Sequence, residues 1–278
     1  MTTTLSEHDL AILTDTDINT PIDPTTLTQA LHSPPFIPIP GIINLRDLGL
    51  FPSSPIAPGL IYRSGALHNL PASSLQALQA DRGIKLILDL RSARERDRSP
   101  DPVIEGVQNI WLESSRAPQD VDLSRFVAQG GRERFKEMYL DVLEAYEGSV
   151  RAVLEWVRGG KGAVLVHCTA GKDRTGVLAA LLLALAGAPK EVVAYDYALT
   201  RIGVAPAREM LVQMLRMWSE AWTAETPGMA EFASTKGEFI EGLLEGVEER
   251  FGGVEGYVRG LGFGEEDLGK MKKILRGG

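Results

Sequence analysis

Between Gly162 and Pro189 the chain reads as an apolar run, a short polar stretch and a second apolar run, and this pattern constrains the fold more than any other. Ala163-Val164-Leu165-Val166 is uncharged and rich in β-branched residues, as a buried strand of a parallel sheet is. Val177 to Leu185 reads Val-Leu-Ala-Ala-Leu-Leu-Leu-Ala-Leu, strong helix formers without a break. His167 to Gly176 therefore forms a strand-to-helix loop.

Such a loop is a place to hold an anion, because the first amides of a helix are unpaired and the positive end of its dipole faces outward. The loop carries Cys168, the only cysteine of the chain, with Arg174 after five intervening residues. A thiol beside Lys172 and Arg174 at a helix N-terminus is favoured as the thiolate. A thiolate facing an arginine fork suited to two oxygens is a nucleophile for a bound oxyanion, and the chemistry implied is attack on phosphorus. A nucleotide-binding loop is excluded, since that motif needs a glycine where Val166 stands and Ser or Thr where Asp173 stands.

His167-Cys168, five residues, then Arg174-Thr175-Gly176 resembles the signature loop of the cysteine-dependent protein tyrosine phosphatase superfamily. Gly171-Lys172-Asp173-Arg174 is similar to the version found in the tyrosine/lipid phosphatases of bacteria and fungi. Asn44-Leu45-Arg46-Asp47-Leu48-Gly49, Tyr62-Arg63-Ser64-Gly65, Asp89-Leu90-Arg91-Ser92 with Glu95, Asp196-Tyr197 and Gly253-Val254-Glu255-Gly256-Tyr257 fit that family's other blocks in order. The resemblance runs from about Ile42 to the C-terminus.

The resemblance implies that Cys168 is the nucleophile and forms a cysteinyl-phosphate intermediate, with Arg174 clamping phosphate oxygens. Thr169, Ala170, Gly171 and Lys172, together with Arg63, are expected to bind substrate. Thr175 either donates its hydroxyl to the sulfur or is an ordinary first-turn hydroxyl. Asp173 is the expected general acid. A helix N-terminus favours its ionised form, while a thiolate and a phosphate dianion nearby favour the proton. Asp89 is the second candidate for the acid, or else orients Arg174 or the loop. His167 is expected to support the loop by hydrogen bonding, since its side chain points opposite to that of Cys168. A second cation at Lys172 suits substrates with extra negative charge. The histidines show no metal-ligand spacing, and the reaction needs neither metal nor cofactor.

Strands are further predicted at Gly59 to Tyr62, Ile84 to Leu90 and Val107 to Leu112. Amphipathic helices are predicted at Pro71 to Gln79, Arg132 to Tyr146 and Ser149 to Val157, with Phe135, Met138, Tyr139, Val142 and Leu143 facing inward as core. Helices also read at Lys190 to Thr200, Ala207 to Ala221, Glu238 to Phe251 and Glu265 to Leu275, with glycines as stops between them. Arg91, Arg94, Arg96 and Arg98, interleaved with Glu95 and Asp97, read as a solvated helix face with local ion pairs, the alternative being a substrate-binding patch. The expected architecture is α/β and tyrosine phosphatase-like: a central, mainly parallel sheet flanked by helices, with a helical C-terminal half. Residues 1–38 form an acidic arm with two short helices, either packed or mobile, and residues 39–278 the catalytic domain.

The net charge of −8 argues against a nucleic-acid binder, and no apolar stretch reaches the roughly 18 to 20 residues of a membrane span. A single cysteine makes no internal disulfide, and the first 45 residues are acidic without Lys or Arg, so the expected location is cytoplasmic. The expected function is hydrolysis of phosphate monoesters on phosphotyrosine, extending to phosphoserine or phosphothreonine. Its alternatives are a phosphoinositide phosphatase and a phospho-binding pseudophosphatase without turnover.

Overall fold

The computed structural model describes residues 4–51, 53–117, 121–219 and 222–278. Strands β1 (Arg46–Asp47), β2 (Ile61–Ser64), β3 (Ile84–Asp89), β4 (Gln108–Trp111) and β5 (Ala163–His167) form one sheet in the order β1-β2-β5-β3-β4. β2, β5, β3 and β4 are parallel, and β1 is antiparallel at the edge. The expected architecture is thus observed. The apolar β5 lies at the centre and is buried at all its positions, where an uncharged run is tolerated on both faces.

Register sets the functional end of the sheet. Ser64, His167, Asp89 and Trp111 pair in one row at the carboxyl ends of four parallel strands. In open α/β sheets ligands bind beyond that edge. The residues that follow this row, Gly65, Cys168 and Leu90, are therefore delivered to one place.

The helix after β5 spans Asp173–Ala186, starting four residues earlier than Val177, the first residue of the predicted run. Asp173 in its first turn favours this start by facing the positive end of the dipole. Helices Arg132–Ala145, Lys190–Ala198, Gly237–Phe251 and Glu265–Leu275 pack around it. On the opposite sheet face Tyr62, Ile84, Ile87 and Leu165 are covered by Leu67, Leu78, Ile37 and Ile39.

Helix Arg208–Trp218 lies in the predicted Ala207 to Ala221 segment, whose last two residues, 220 and 221, fall outside the described residues. A further helix, Val254–Gly260, stands between two glycine clusters read as stops. Its glycines hid the helical pattern, although Tyr257 and Val258 are buried in the main core.

The N-terminal helices Glu7–Thr14 and Pro24–Leu31 are capped by Ser6 and Asp23 and pack against the rest of the chain. Leu10, Ala30 and Phe36 form a cluster with Leu199 and Ile202. Arg201 gathers the carbonyls of Thr16, Asp17 and Thr20 at 3.3, 3.0 and 2.5 Å. A buried side chain such as Leu10 contributes about 1.5–3 kcal/mol, so this contact resolves the choice between a packed and a mobile arm in favour of packing. Among the described residues no helix is long and apolar enough to cross a membrane.

Candidate active site

The loop leaves β5 at His167 and enters its helix at Asp173, with Cys168 buried at its base. Three consecutive carbonyls are tied down on one side. Thr169 O accepts from the Ala66 amide at 3.1 Å. Ala170 O accepts from Asn44 Nδ2 at 3.1 Å, and Gly171 O from Asn44 Nδ2 at 3.0 Å and Arg63 Nη2 at 2.6 Å. Trans peptides are planar, so the amides of Ala170, Gly171 and Lys172 point the other way. Among the described residues the amides of Thr169 to Arg174 donate to no protein acceptor. A fan of free amides at a helix N-terminus is an anion cradle.

The scaffold behind the cradle is charged. Asp196 accepts from Arg46 Nε at 2.9 Å and from Arg63 Nη1, and all three side chains are buried. Burial raises the Asp196 pKa, but the two guanidinium groups outweigh it and hold the carboxyl below its ordinary value. Burial and the neighbouring Arg63 bring Arg46 down to about 10. Asn44 adopts a left-handed φ of 57°, which a short amide side chain tolerates, and Arg46 Nη1 donates to its Oδ1. Gly171 is also left-handed, at φ 69°, and a Cβ there would lie 2.5 Å from Ser64 O.

Arg174 rises from the first helical turn to Glu95, donating Nη1 to Oε2 at 2.7 Å and Nη2 to Oε1 at 2.8 Å, and Nη1 also reaches Leu90 O at 3.0 Å. Glu95 accepts as well from the Thr169 hydroxyl and from Ser92 N and Oγ, in the capping box of helix Ala93–Arg98. Burial works against ionised Glu95, but hydrogen bonds and charge from Arg174 hold it far below the usual carboxylate range. Arg174 Nε has no partner among the described residues and is left for a ligand. Glu95 and the buried Arg91 are therefore not on a solvated face, whereas Arg94, Arg96 and Arg98 are exposed as expected.

Asp173 Oδ1 accepts from the Tyr139 hydroxyl at 2.7 Å, and that hydroxyl lies 2.5 Å from the Tyr197 hydroxyl. Lys172 does not point into the cradle. Its ammonium donates to Phe232 O at 2.6 Å and sits 5.0 and 5.5 Å from the ring centroids of Phe135 and Phe232. Burial lowers its pKa. Thr175 is fully buried, and among the described residues its hydroxyl has no hydrogen-bond partner, so no bond to the Cys168 sulfur forms.

Among the described residues Asp89 makes no hydrogen bond to Arg174. It accepts from Arg91 Nε and Nη2, each at 2.9 Å, and Arg91 Nη2 continues to Asp101 at 2.7 Å. His167 Nε2 lies 2.8 Å from Asp101 Oδ2, and Nδ1 faces the Cys168 carbonyl at 3.4 Å. Asp89, Asp101 and His167 bring ligand atoms within 4.8 Å of one another, but the Arg91 guanidinium already joins the two carboxylates. This cluster is a support beneath the loop. Arg63 likewise reaches the cradle from behind, through Gly171 O, and not from the ligand side.

A family model described as the tyrosine phosphatase family matches residues 37–277. The chain belongs to the tyrosine phosphatase family. It is a protein phosphatase. It is similar to the tyrosine-protein phosphatase of Nostoc commune, with 30% identity over 217 residues, 76% of this chain and 71% of that one. It is similar also to the triple specificity protein phosphatase PtpB of Mycobacterium tuberculosis, at 25% over 276 residues, 86% of this chain and 98% of the relative. A putative tyrosine-protein phosphatase of Cupriavidus necator is 29% identical over 229 residues, covering 78% and 81%.

Several residues that build this phosphatase's site had no role assigned from sequence. Glu95, Asn44, Arg46 and Asp196 lie within blocks that carry the resemblance, and those blocks were the only signal for them. Tyr139 reads as core and is core, yet its hydroxyl end reaches Asp173.

Proposed function

We propose that this phosphatase hydrolyses phosphotyrosine in proteins through a cysteinyl-phosphate intermediate on Cys168. The observation that carries the reading is the cradle itself: a buried thiol, free amides aimed away from pinned carbonyls, and Arg174 fixed by Glu95. The amides and Arg174 take the phosphate oxygens and stabilise the charge of the transition state. Cys168 Sγ bonds to phosphorus as the ester P–O bond breaks, and Asp173 gives its proton to the departing oxygen. Water then attacks phosphorus, passes a proton to Asp173 and releases the thiolate. Asp173 rather than Asp89 suits the acid, because Asp89 is consumed by Arg91.

The buried ammonium of Lys172 favours phosphotyrosine over phosphoinositide substrates, since it offers no second cation to a headgroup. The triple specificity in the name of the mycobacterial relative supports testing phosphoserine and phosphothreonine too. The unpaired cysteine suits the cytoplasmic placement that we attach to this reading. We read residues 1–38 as an accessory arm on a catalytic domain of residues 39–278, supported by the span of the family match.

The test is phosphate release from a phosphotyrosine peptide and a phosphoinositide panel, with Cys168→Ser as background. Faster Cys168-dependent release from the peptide is expected. Faster release from lipids overturns the substrate assignment, and release from neither with phosphopeptide binding intact overturns turnover at this site.

A further inference from the structure

Asp173 has a divided environment. Its side chain is 35% exposed, its Oδ1 is engaged by Tyr139, and among the described residues its Oδ2 has no hydrogen bond. A general acid needs such a division, with one oxygen free to carry the proton toward substrate and the other held. Behind Oδ1 the two tyrosine hydroxyls are buried, from helix Arg132–Ala145 and helix Lys190–Ala198. Among the described residues the Tyr197 hydroxyl has no bond except the one to Tyr139.

We propose that Tyr139 and Tyr197 form a hydroxyl chain that orients Asp173 and takes up the charge it acquires on giving its proton to the leaving group. Tyr139 is thereby a positioning residue for proton transfer. The inference rests on the reading of Asp173 as the acid.

When the P–O bond breaks, its electron pair goes to the leaving oxygen, and the Oδ2–H bond of Asp173 breaks as that oxygen takes the proton. The carboxylate left behind is stabilised at Oδ1 by the O–H of Tyr139, whose oxygen accepts in turn from Tyr197. Hydrogen bonds to an ionised acceptor are about twice as strong as neutral ones, so the chain tightens as transfer proceeds. Burial first, and then the charge of Asp173, push the Tyr139 pKa well above ordinary values, so Tyr139 remains a donor throughout.

The other groups facing this cluster are fixed. Lys172 Nζ lies 3.7 Å from Oδ1 within its Phe135 and Phe232 cage, Cys168 shares the loop, and Arg63 acts on Tyr197 by its charge. All persist when one tyrosine hydroxyl is removed.

The experiment measures kcat/KM against pH for wild type, Tyr139→Phe, Tyr197→Phe, Asp173→Asn and the Tyr139→Phe/Asp173→Asn pair. Each is assayed on an alkyl phosphate, whose leaving group needs a proton, and on dinitrophenyl phosphate, whose leaving group does not. Tyr139→Phe is expected to lose about tenfold on the alkyl ester and less than about twofold on the dinitrophenyl ester. Removing a donor to the ionised form is expected to move the basic limb of the alkyl-ester profile to higher pH and to leave the dinitrophenyl-ester profile in place. In the Asp173→Asn background the Tyr139→Phe effect disappears. Tyr197→Phe, which removes one bond further away, changes the profile in the same direction by less and carries the test if Tyr139→Phe does not fold.

Equal losses on both esters, or a loss that persists beside Asp173→Asn, would leave Tyr139 a packing residue and overturn the proposal. Asp173→Asn slowing both esters alike would instead overturn the acid reading, and the tyrosine chain with it.

Discussion

Glu95 grips Arg174 by both ends of the guanidinium, at 2.7 and 2.8 Å, from a helix whose own start is capped by the same carboxylate. One side chain thus ties the orientation of the phosphate clamp to the position of helix Ala93–Arg98. A bidentate pair of this kind fixes direction as well as supplying energy. Glu95→Gln keeps the shape but loses the charge and one acceptor. It is expected to lower kcat/KM on a phosphotyrosine peptide by roughly ten- to a hundredfold and to weaken vanadate inhibition in parallel. Unchanged vanadate affinity would show that Arg174 orients itself.

Acid sensitivity follows from three carboxyls, the buried Asp89 and Asp196 and the half-buried Glu95. For Glu95, Asp89 and Asp196, burial raises the pKa, but arginine partners outweigh it and the net direction is down. Stability from a depressed carboxyl is fully present above its unfolded value, about 4, and is lost as pH falls through the native one. Urea midpoints are expected to be level in this respect from pH 7 to 5 and to fall below about pH 4, with a shallower fall in Glu95→Gln. A midpoint that holds at pH 3 contradicts the assignment of these ion pairs.

Gly171 cannot carry a side chain where it stands. Its φ of 69° costs an L-residue about 1–2 kcal/mol, and a Cβ 2.5 Å from Ser64 O forces the loop outward. Gly171→Ala is expected to lose more than about a hundredfold in kcat while thermal unfolding remains cooperative. Full activity in this variant would mean that the cradle is far more compliant than its pinned carbonyls imply.

Lys172 braces the loop against the Phe232 carbonyl and two rings. Lys172→Met fills much the same space and is expected to change kcat/KM on a phosphotyrosine peptide by less than about threefold. A loss confined to phosphoinositides would place the ammonium on substrate during turnover.

What could be read from sequence was local. The Ala163-Val164-Leu165-Val166 run and the helix formers after it announced strand, loop and helix, and the spacing of Cys168 and Arg174 announced the chemistry. What could not be read depends on distant partners. Arg46 meets Asp196 across 150 positions of chain, and nothing near either residue signals the other. Glu95 sits among alternating charges that look like an exposed face, and only the sheet register brings its helix to Arg174. Lys172 is a polar loop residue by sequence, and its burial is created by Phe135 and Phe232 from two other helices.

The helix Asp173–Ala186 is buried from Thr175 to Leu183 without interruption. Amides in such a segment exchange with solvent only when the whole domain opens, whereas short peripheral elements open on their own. Asp173 and Arg174 stand immediately before this buried stretch and Cys168 on the loop ahead of it, so the side chains of the site spring from the end of an element whose later turns open only with the domain.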